Sequence, residues 1–105
     1  MFEKDLALSA LFDLYAPLLS DKKQKVFEAY YCEDLSLAEI ALQTGTSRQA
    51  VREMLFRTAQ ELKEFESSLA LLCKRGEIVT LLEQIAVLPD EGERRHMIAK
   101  IKELI

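Results

Sequence analysis

Between residues 37 and 51 three residues fall at a spacing that few folds can use. Ala41 is followed four positions later by Gly45, and six further on by Val51. Two helices that cross steeply through a tight turn make three demands. A small residue must stand where the second helix crosses the first. The turn must hold a residue that accepts positive φ. The second helix must bury one apolar residue and leave its N-terminal face open. Ala41, Gly45 and Val51 meet these demands in order, and glycine enters the left-handed region at little cost. Both helix starts are also marked. Ser36 and Glu39 have the spacing of a capping box, and Thr46 or Ser47 can cap the second helix. The stretch therefore predicts a helix-turn-helix with its turn at Gln43–Thr46 and its second helix beginning at Ser47. Ile40, Ala41, Gly45 and Val51 are its structural residues, with Met54 and Leu55 completing a small core.

The rest of the chain reads as helix. Three Gly and two Pro in 105 residues leave little turn material, and half the residues are apolar. That composition points to an all-α protein. Its length fits a single helical domain over 1–105, with a helix-turn-helix core at 20–66 and a C-terminal helical extension at 67–105. A first helix over roughly 4–16 carries Leu8, Leu11, Phe12 and Tyr15 on one stripe, and Pro17 ends or kinks it. Ser20 can cap a second helix that ends near Cys32–Asp34. The recognition helix then shows Val51, Leu55, Thr58, Leu62, Phe65, Leu69 and Leu72, a 3.5-residue repeat. From Ser47 to Leu72 it would span about 39 Å unbroken. Such a helix either bends near Ser67–Ser68 or projects, and its seam must be covered by a second chain or by the chain's own last two helices. Beyond Lys74-Arg75-Gly76 a further helix carries Ile78, Leu81, Leu82 and Ile85. After Pro89, Asp90 and Glu93 cap a last one, lined by Met97, Ile98, Ile101, Leu104 and Ile105.

Charge is uneven. The net charge is −4, which opposes non-specific binding to phosphates. Residues 47–63 nevertheless carry Arg48, Arg52, Arg57 and Lys63 against Glu53 and Glu61, a local +2 that leaves −6 elsewhere. The open face of the recognition helix would present Ser47, Arg48, Gln49, Arg52 and Glu53. Arginine donates bidentately to guanine, glutamine pairs with adenine, and Ser47 or the first helix amides can hold a phosphate. Lys22, Lys23 and Lys25 stand in the first turns of the second helix, where the dipole disfavours cations. They read either as a solvated face or as a backbone-contacting patch. Helix-turn-helix scaffolds also serve as protein-docking modules, so protein binding stays open beside nucleic-acid binding.

Other classes find no support. There is no Gly-rich phosphate loop. His96, the one histidine, has no Cys or second His near it, so no metal or other cofactor is expected. No nucleophile–base set can be assembled, and no enzyme is expected. Met1 to Asp5 lack the basic-then-apolar order of a secretion signal, and no apolar run approaches the length that spans a bilayer. A cytoplasmic location is expected, without membrane insertion. Cys32 and Cys73 lack metal-ligand spacing and read as buried thiols.

At the helix-turn-helix the chain also resembles known proteins. Leu35-Ser36-Leu37-Ala38-Glu39-Ile40-Ala41, followed by Ser47-Arg48-Gln49-Ala50-Val51, is similar to the promoter-reading fourth region of bacterial sigma factors. The likeness widens with Ala10–Tyr15, Leu18–Gln24, Tyr30-Tyr31 and Arg57-Thr58, which resemble the YlxM-like helix-turn-helix proteins of Gram-positive bacteria; the specific matches cover 8–66. This resemblance implies an all-helical fold, a homodimer, and a gene neighbourhood shared with the signal recognition particle GTPase and its receptor. It further implies a regulatory or accessory role in that targeting pathway, with DNA or the particle's RNA as nucleic-acid partner. One alternative is a module that docks on the targeting GTPase or its receptor without nucleic acid. A weaker one is a sigma-mimic or anti-sigma role. After Ala-Val the family carries a Tyr-Asp-Asn-Ile-Lys type of run, whereas here Arg52 to Phe56 occupy those positions. Phe56 thus replaces a basic position, which removes a phosphate contact and places an aromatic ring near the surface.

Overall fold

Helix α4 (Arg48–Leu69) is the element on which the first half of the chain assembles. The computed structural model describes residues 6–105. Before α4 come α1 (Leu6–Tyr15), α2 (Asp21–Tyr31) and α3 (Leu37–Thr44), and after it α5 (Leu71–Val87) and α6 (Glu91–Leu104). The chain divides into two compact units, with the boundary between Leu69 and Ala70. The onset of the expected first helix at residue 4, and the leader reading of Met1 to Asp5, lie outside the described residues.

In the first unit each helix has a local cause. Pro17 converts the end of α1 into a 3-10 turn, Ala16–Leu18, at which the amide of Leu19 donates to the Ala16 carbonyl at 3.0 Å. Ser20 then caps α2, its hydroxyl accepting from the Lys23 amide at 3.4 Å. Helices α1, α2 and α3 all pack on α4. Val51, Leu55, Thr58, Ala59 and Leu62 of α4 are buried, together with Leu8, Phe12, Tyr15, Val26, Phe27 and Tyr30. The Phe27 ring is stacked between Phe12 and Tyr31, at centroid distances of 4.6 and 4.2 Å. Thr58 has no exposed surface, and its hydroxyl is satisfied by the Met54 carbonyl at 2.8 Å. The Tyr15 hydroxyl donates to Glu66 Oε1 at 2.6 Å, tying α1 to the far end of α4.

Three expectations are corrected here. From Val51 through Leu62 the 3.5-residue seam is covered by α1–α3 and needs neither a second chain nor the last two helices, while Leu69, further along it, is exposed. Phe65, half-buried, meets the Tyr15 ring at 5.9 Å. The long helix is not interrupted at Lys74-Arg75-Gly76. It stops at Leu69, next to the Ser67–Ser68 pair at which a bend was expected, Ala70 takes φ 53 and ψ 32, and α5 runs through Gly76. A helix tolerates an interior glycine at a cost of about 1 kcal/mol, so Gly76 is not by itself a break. Cys32 and Cys73 are exposed rather than buried. Cys32 ends α2 at the surface, and Cys73 lies in a unit that buries nothing completely.

In the second unit α5 and α6 pack on each other. Asp90 caps α6 by accepting from the Gly92 amide at 2.7 Å, and Arg94 Nε donates to the Leu88 carbonyl at 2.7 Å. No residue from 70 to 105 is buried. Ile78, Leu81, Ile85, Met97, Ile101 and Leu104 are half-buried, while Val79, Leu82, Val87 and Ile98 are exposed. Among the described residues no helix is long and apolar enough to cross a membrane.

Candidate nucleic-acid interface

The turn between α3 and α4 is built from the residue types its geometry requires. Ser36 and Glu39 close a capping box in which the Glu39 amide reaches the Ser36 hydroxyl, and the Ser36 amide the Glu39 carboxylate, each at 3.1 Å. At the other end Gly45 adopts φ 67 and ψ 31, and the amides of Gly45 and Thr46 both donate to the Ala41 carbonyl. This double closure is the left-handed stop that glycine makes inexpensive. The Thr44 hydroxyl donates to the Ile40 carbonyl at 2.8 Å and lies 2.9 Å from the Thr46 hydroxyl. Ser47 then starts α4, its hydroxyl accepting from the Ala50 amide at 3.0 Å and its carbonyl from Val51 at 3.1 Å.

Three of the four residues assigned to structure are buried, and the fourth, Gly45, is exposed in the turn. Ile40, Ala41 and Val51 are 1%, 7% and 3% exposed. Ser47, Arg48, Gln49, Arg52 and Glu53 are all exposed. Gln49 and Arg52 lie off the stripe that Val51, Leu55 and Leu62 bury, because side chains three and four apart share a face; Arg48, three before Val51, is exposed at the first turn of the helix. The amides of the first helical turn have no intrahelical acceptor and give that end a partial positive charge. An anion meeting this end would therefore find the Ser47 hydroxyl proton, the first amides and the two guanidinium groups on one side.

The three lysines of α2 do not act as a set. Lys22 reaches the turn, where with Val26, Thr44, Thr46, Ala50 and Met54 it lines a cleft of about 40 Å³, room for about one water molecule. Lys23 is committed elsewhere: its ammonium pairs with Glu61 Oε1 at 2.7 Å, joining α2 to the middle of α4. Lys25 is exposed. One feature lay outside the sequence expectation. The Arg52 guanidinium sits over the Phe56 ring, 5.9 Å from its centroid, with Phe56 itself 55% exposed. The signal was present as an i, i+4 pairing on the open face of the helix.

The chain matches the profile of a family described as "putative helix-turn-helix protein, YlxM / p13 like" over residues 2–104. It belongs to this UPF0122 family. A UPF0122 protein of Geobacillus is 39% identical over 106 aligned residues, covering 99% of this chain and 96% of the relative. Similar proteins from Symbiobacterium thermophilum and Halalkalibacterium halodurans are 40% and 41% identical, over 82% and 81% of this chain and 80% and 78% of their own lengths. The UPF0122 description names a helix-turn-helix, and Ser36 to Val51 have that form in this chain. The profile also spans both units, so α5 and α6 are part of what the UPF0122 family shares.

Proposed function

We propose that this UPF0122 protein is a nucleic-acid-binding regulator that uses the exposed N-terminal face of α4. The single observation carrying this reading is the division of one helix. Val51 is buried while Arg48, Gln49 and Arg52 are exposed around it. Arg48, Gln49 and Arg52 would contact base edges or a shaped RNA surface. Ser47 and the first α4 amides would hold a phosphate. Lys22 and Lys25 would contact the backbone, and Lys23, paired with Glu61, is withdrawn from that role. We further infer, from the family resemblance, an accessory role in the cytoplasm in signal recognition particle targeting, with the particle's RNA as a nucleic-acid candidate beside duplex DNA. The test is a titration of the protein against both nucleic acids at several salt concentrations. Binding should weaken steeply with salt, and the double change Arg48→Ala with Arg52→Ala should abolish it. Unchanged binding by the double variant removes this face from the function.

We also propose that the protein works as a homodimer. Two helices with exposed Val79, Leu82, Val87 and Ile98 and no buried residue do not make a stable core in water, and a second copy would cover them. A concentration-independent monomer mass in light scattering would end this idea. The exposed Phe56 under Arg52 favours a second reading, a module that docks on the targeting GTPase or its receptor, since aromatic and arginine side chains dominate protein-binding hot spots. Capture of the GTPase or receptor that survives the double arginine change but fails in Phe56→Ala would select this reading.

A further inference from the structure

One stripe of α4 is exposed along most of the helix. Gln49, Arg52, Phe56, Gln60 and Lys63 follow one another at steps of three, four, four and three, and all five are exposed. Residues at these steps share a helix face. All five belong to the first unit, and from Gln49 to Lys63 the stripe runs about 21 Å. It holds no carboxylate, although α4 has four. Glu61 and Glu66 bond to Lys23 and Tyr15, and Glu53 and Glu64 lie with Arg57 on the neighbouring stripe. An aromatic ring stands in the middle. Phe56 is 55% exposed, and the Arg52 guanidinium lies over it, 5.9 Å from the ring centroid. One turn or so to either side come an amide and a cation.

We propose that the nucleic acid taken by this face is an unpaired strand, laid along α4 with one base stacked on Phe56. The inference rests on α4 being a nucleic-acid-binding helix, and it names the form of the ligand. Three features favour an unpaired strand over a duplex. The first is the ring. A duplex keeps its base faces stacked inside and shows an entering helix only base edges and methyl groups, so a phenyl ring there finds no face to stack on. An unpaired base offers its π-face, and every base has one. The second is reach. A helix that enters a major groove about 12 Å wide reads bases with its first turns, whereas this stripe continues to Lys63. The third is charge. A helix lying in a groove meets phosphates on both flanks, and Glu53, Arg57 and Glu64 leave one flank of α4 net negative. A single strand needs phosphate contacts along one line, and Arg52 and Lys63 supply them on either side of the ring. Gln49 and Gln60 then hydrogen-bond the edges of neighbouring bases, which an unpaired strand leaves open.

The test titrates the full chain against a labelled mixed-sequence strand, alone and annealed to its complement, as RNA and as DNA, with fluorescence anisotropy as the readout. In at least one of the two chemistries the single strand should bind about tenfold tighter than the duplex. Phe56→Leu keeps apolar bulk and helix preference but removes the ring face, and should weaken single-strand binding about tenfold. Phe56→Tyr, which keeps the face, should preserve it. Lys63→Ala should lower the single-strand salt slope by about 0.7. Tighter binding of the duplex, with Phe56→Leu and Lys63→Ala both inert, would overturn the proposal. If that duplex binding is lost on Arg48→Ala with Arg52→Ala, the recognition face itself stands and only the unpaired strand is wrong. Binding of neither form, or binding indifferent to the double arginine change, would remove the face and the proposal with it.

Discussion

Replacing Gly45 by Ala isolates conformational strain from steric clash. Gly45 holds φ 67, and a Cβ built on it meets nothing within 4 Å. The substitution therefore creates no overlap, and its whole cost is that of holding a Cβ-bearing residue left-handed. That cost is about 1–2 kcal/mol. Alanine also restricts the unfolded chain, which returns about 0.4–1 kcal/mol. The net loss expected is about 1 kcal/mol, or about 4–8 °C in Tm for a unit of this size. Gly45→Asn should fall between the parent and Gly45→Ala, because asparagine tolerates this region better. The chain has three tyrosines and no tryptophan, and Tyr15, Tyr30 and Tyr31 all lie in the first unit. Thermal unfolding followed by tyrosine fluorescence therefore reports on the unit that contains the turn. Nucleic-acid binding per folded molecule should be unchanged, since no neighbour has to move. A loss above about 3 kcal/mol would mean the Cβ meets something, and no loss would mean the left-handed stop is not holding the turn. Either result refutes the reasoning.

The same chemical change at Gly76 should have the opposite sign. Gly76 lies inside α5 with open space around it, so Gly76→Ala should strengthen that helix by about 0.5–1 kcal/mol, read as a later far-UV circular dichroism transition. Lys22 and Lys23 should also part company. Lys23→Ala removes a half-exposed ion pair with Glu61, costing under about 1 kcal/mol of stability with binding intact, whereas Lys22→Ala should weaken binding without changing Tm. Equal effects of the two lysine changes on affinity would show that the pair with Glu61 does not hold Lys23 back.

The helix-turn-helix was legible because each of its elements rests on a local rule. Gly45 is required by the sign of φ, Ser36 with Glu39 by unpaired amides, and Val51 by the 3.6-residue period. Those rules act within a few residues and survive any tertiary context. What covers the seam of α4 was not legible. Periodicity shows that Val51, Leu55, Thr58 and Leu62 need a partner, but α1, α2 and α3 could be matched to it only through their own stripes. The fate of Lys23 was hidden for a similar reason. Lys22, Lys23 and Lys25 are alike in type, and only the rotation of α2 against α4 brings Glu61 within 2.7 Å of Lys23 alone. The interruption at Ala70 falls just beyond Ser67–Ser68, where the length of the helix called for a bend, but no residue preference marks Ala70 itself.

The charge pattern limits how such a face can bind. Two of the carboxylates on α4 are turned to internal tasks, Glu61 toward Lys23 and Glu66 toward Tyr15. At the open end Arg48 and Arg52 stand against Glu53, a net charge of +1. The remaining acidic surface acts at longer range, and salt at physiological strength screens it beyond about 8 Å. A local cationic face can thus attract a phosphate within contact distance on a chain of net charge −4. The number of contacts stays small, however. If Lys22, Lys25, Arg48 and Arg52 are the contacts, they would neutralise at most four phosphates, which would limit the salt slope on duplex DNA to about −3.6. So few contacts give one copy only a weak hold, and base edges or shape must supply the rest. A second copy carrying the same face would double the slope and convert the second engagement into an intramolecular one. On the proposed dimer reading, pairing the apolar, unburied helices of the second unit would give the sparse cations of the first the second engagement they need.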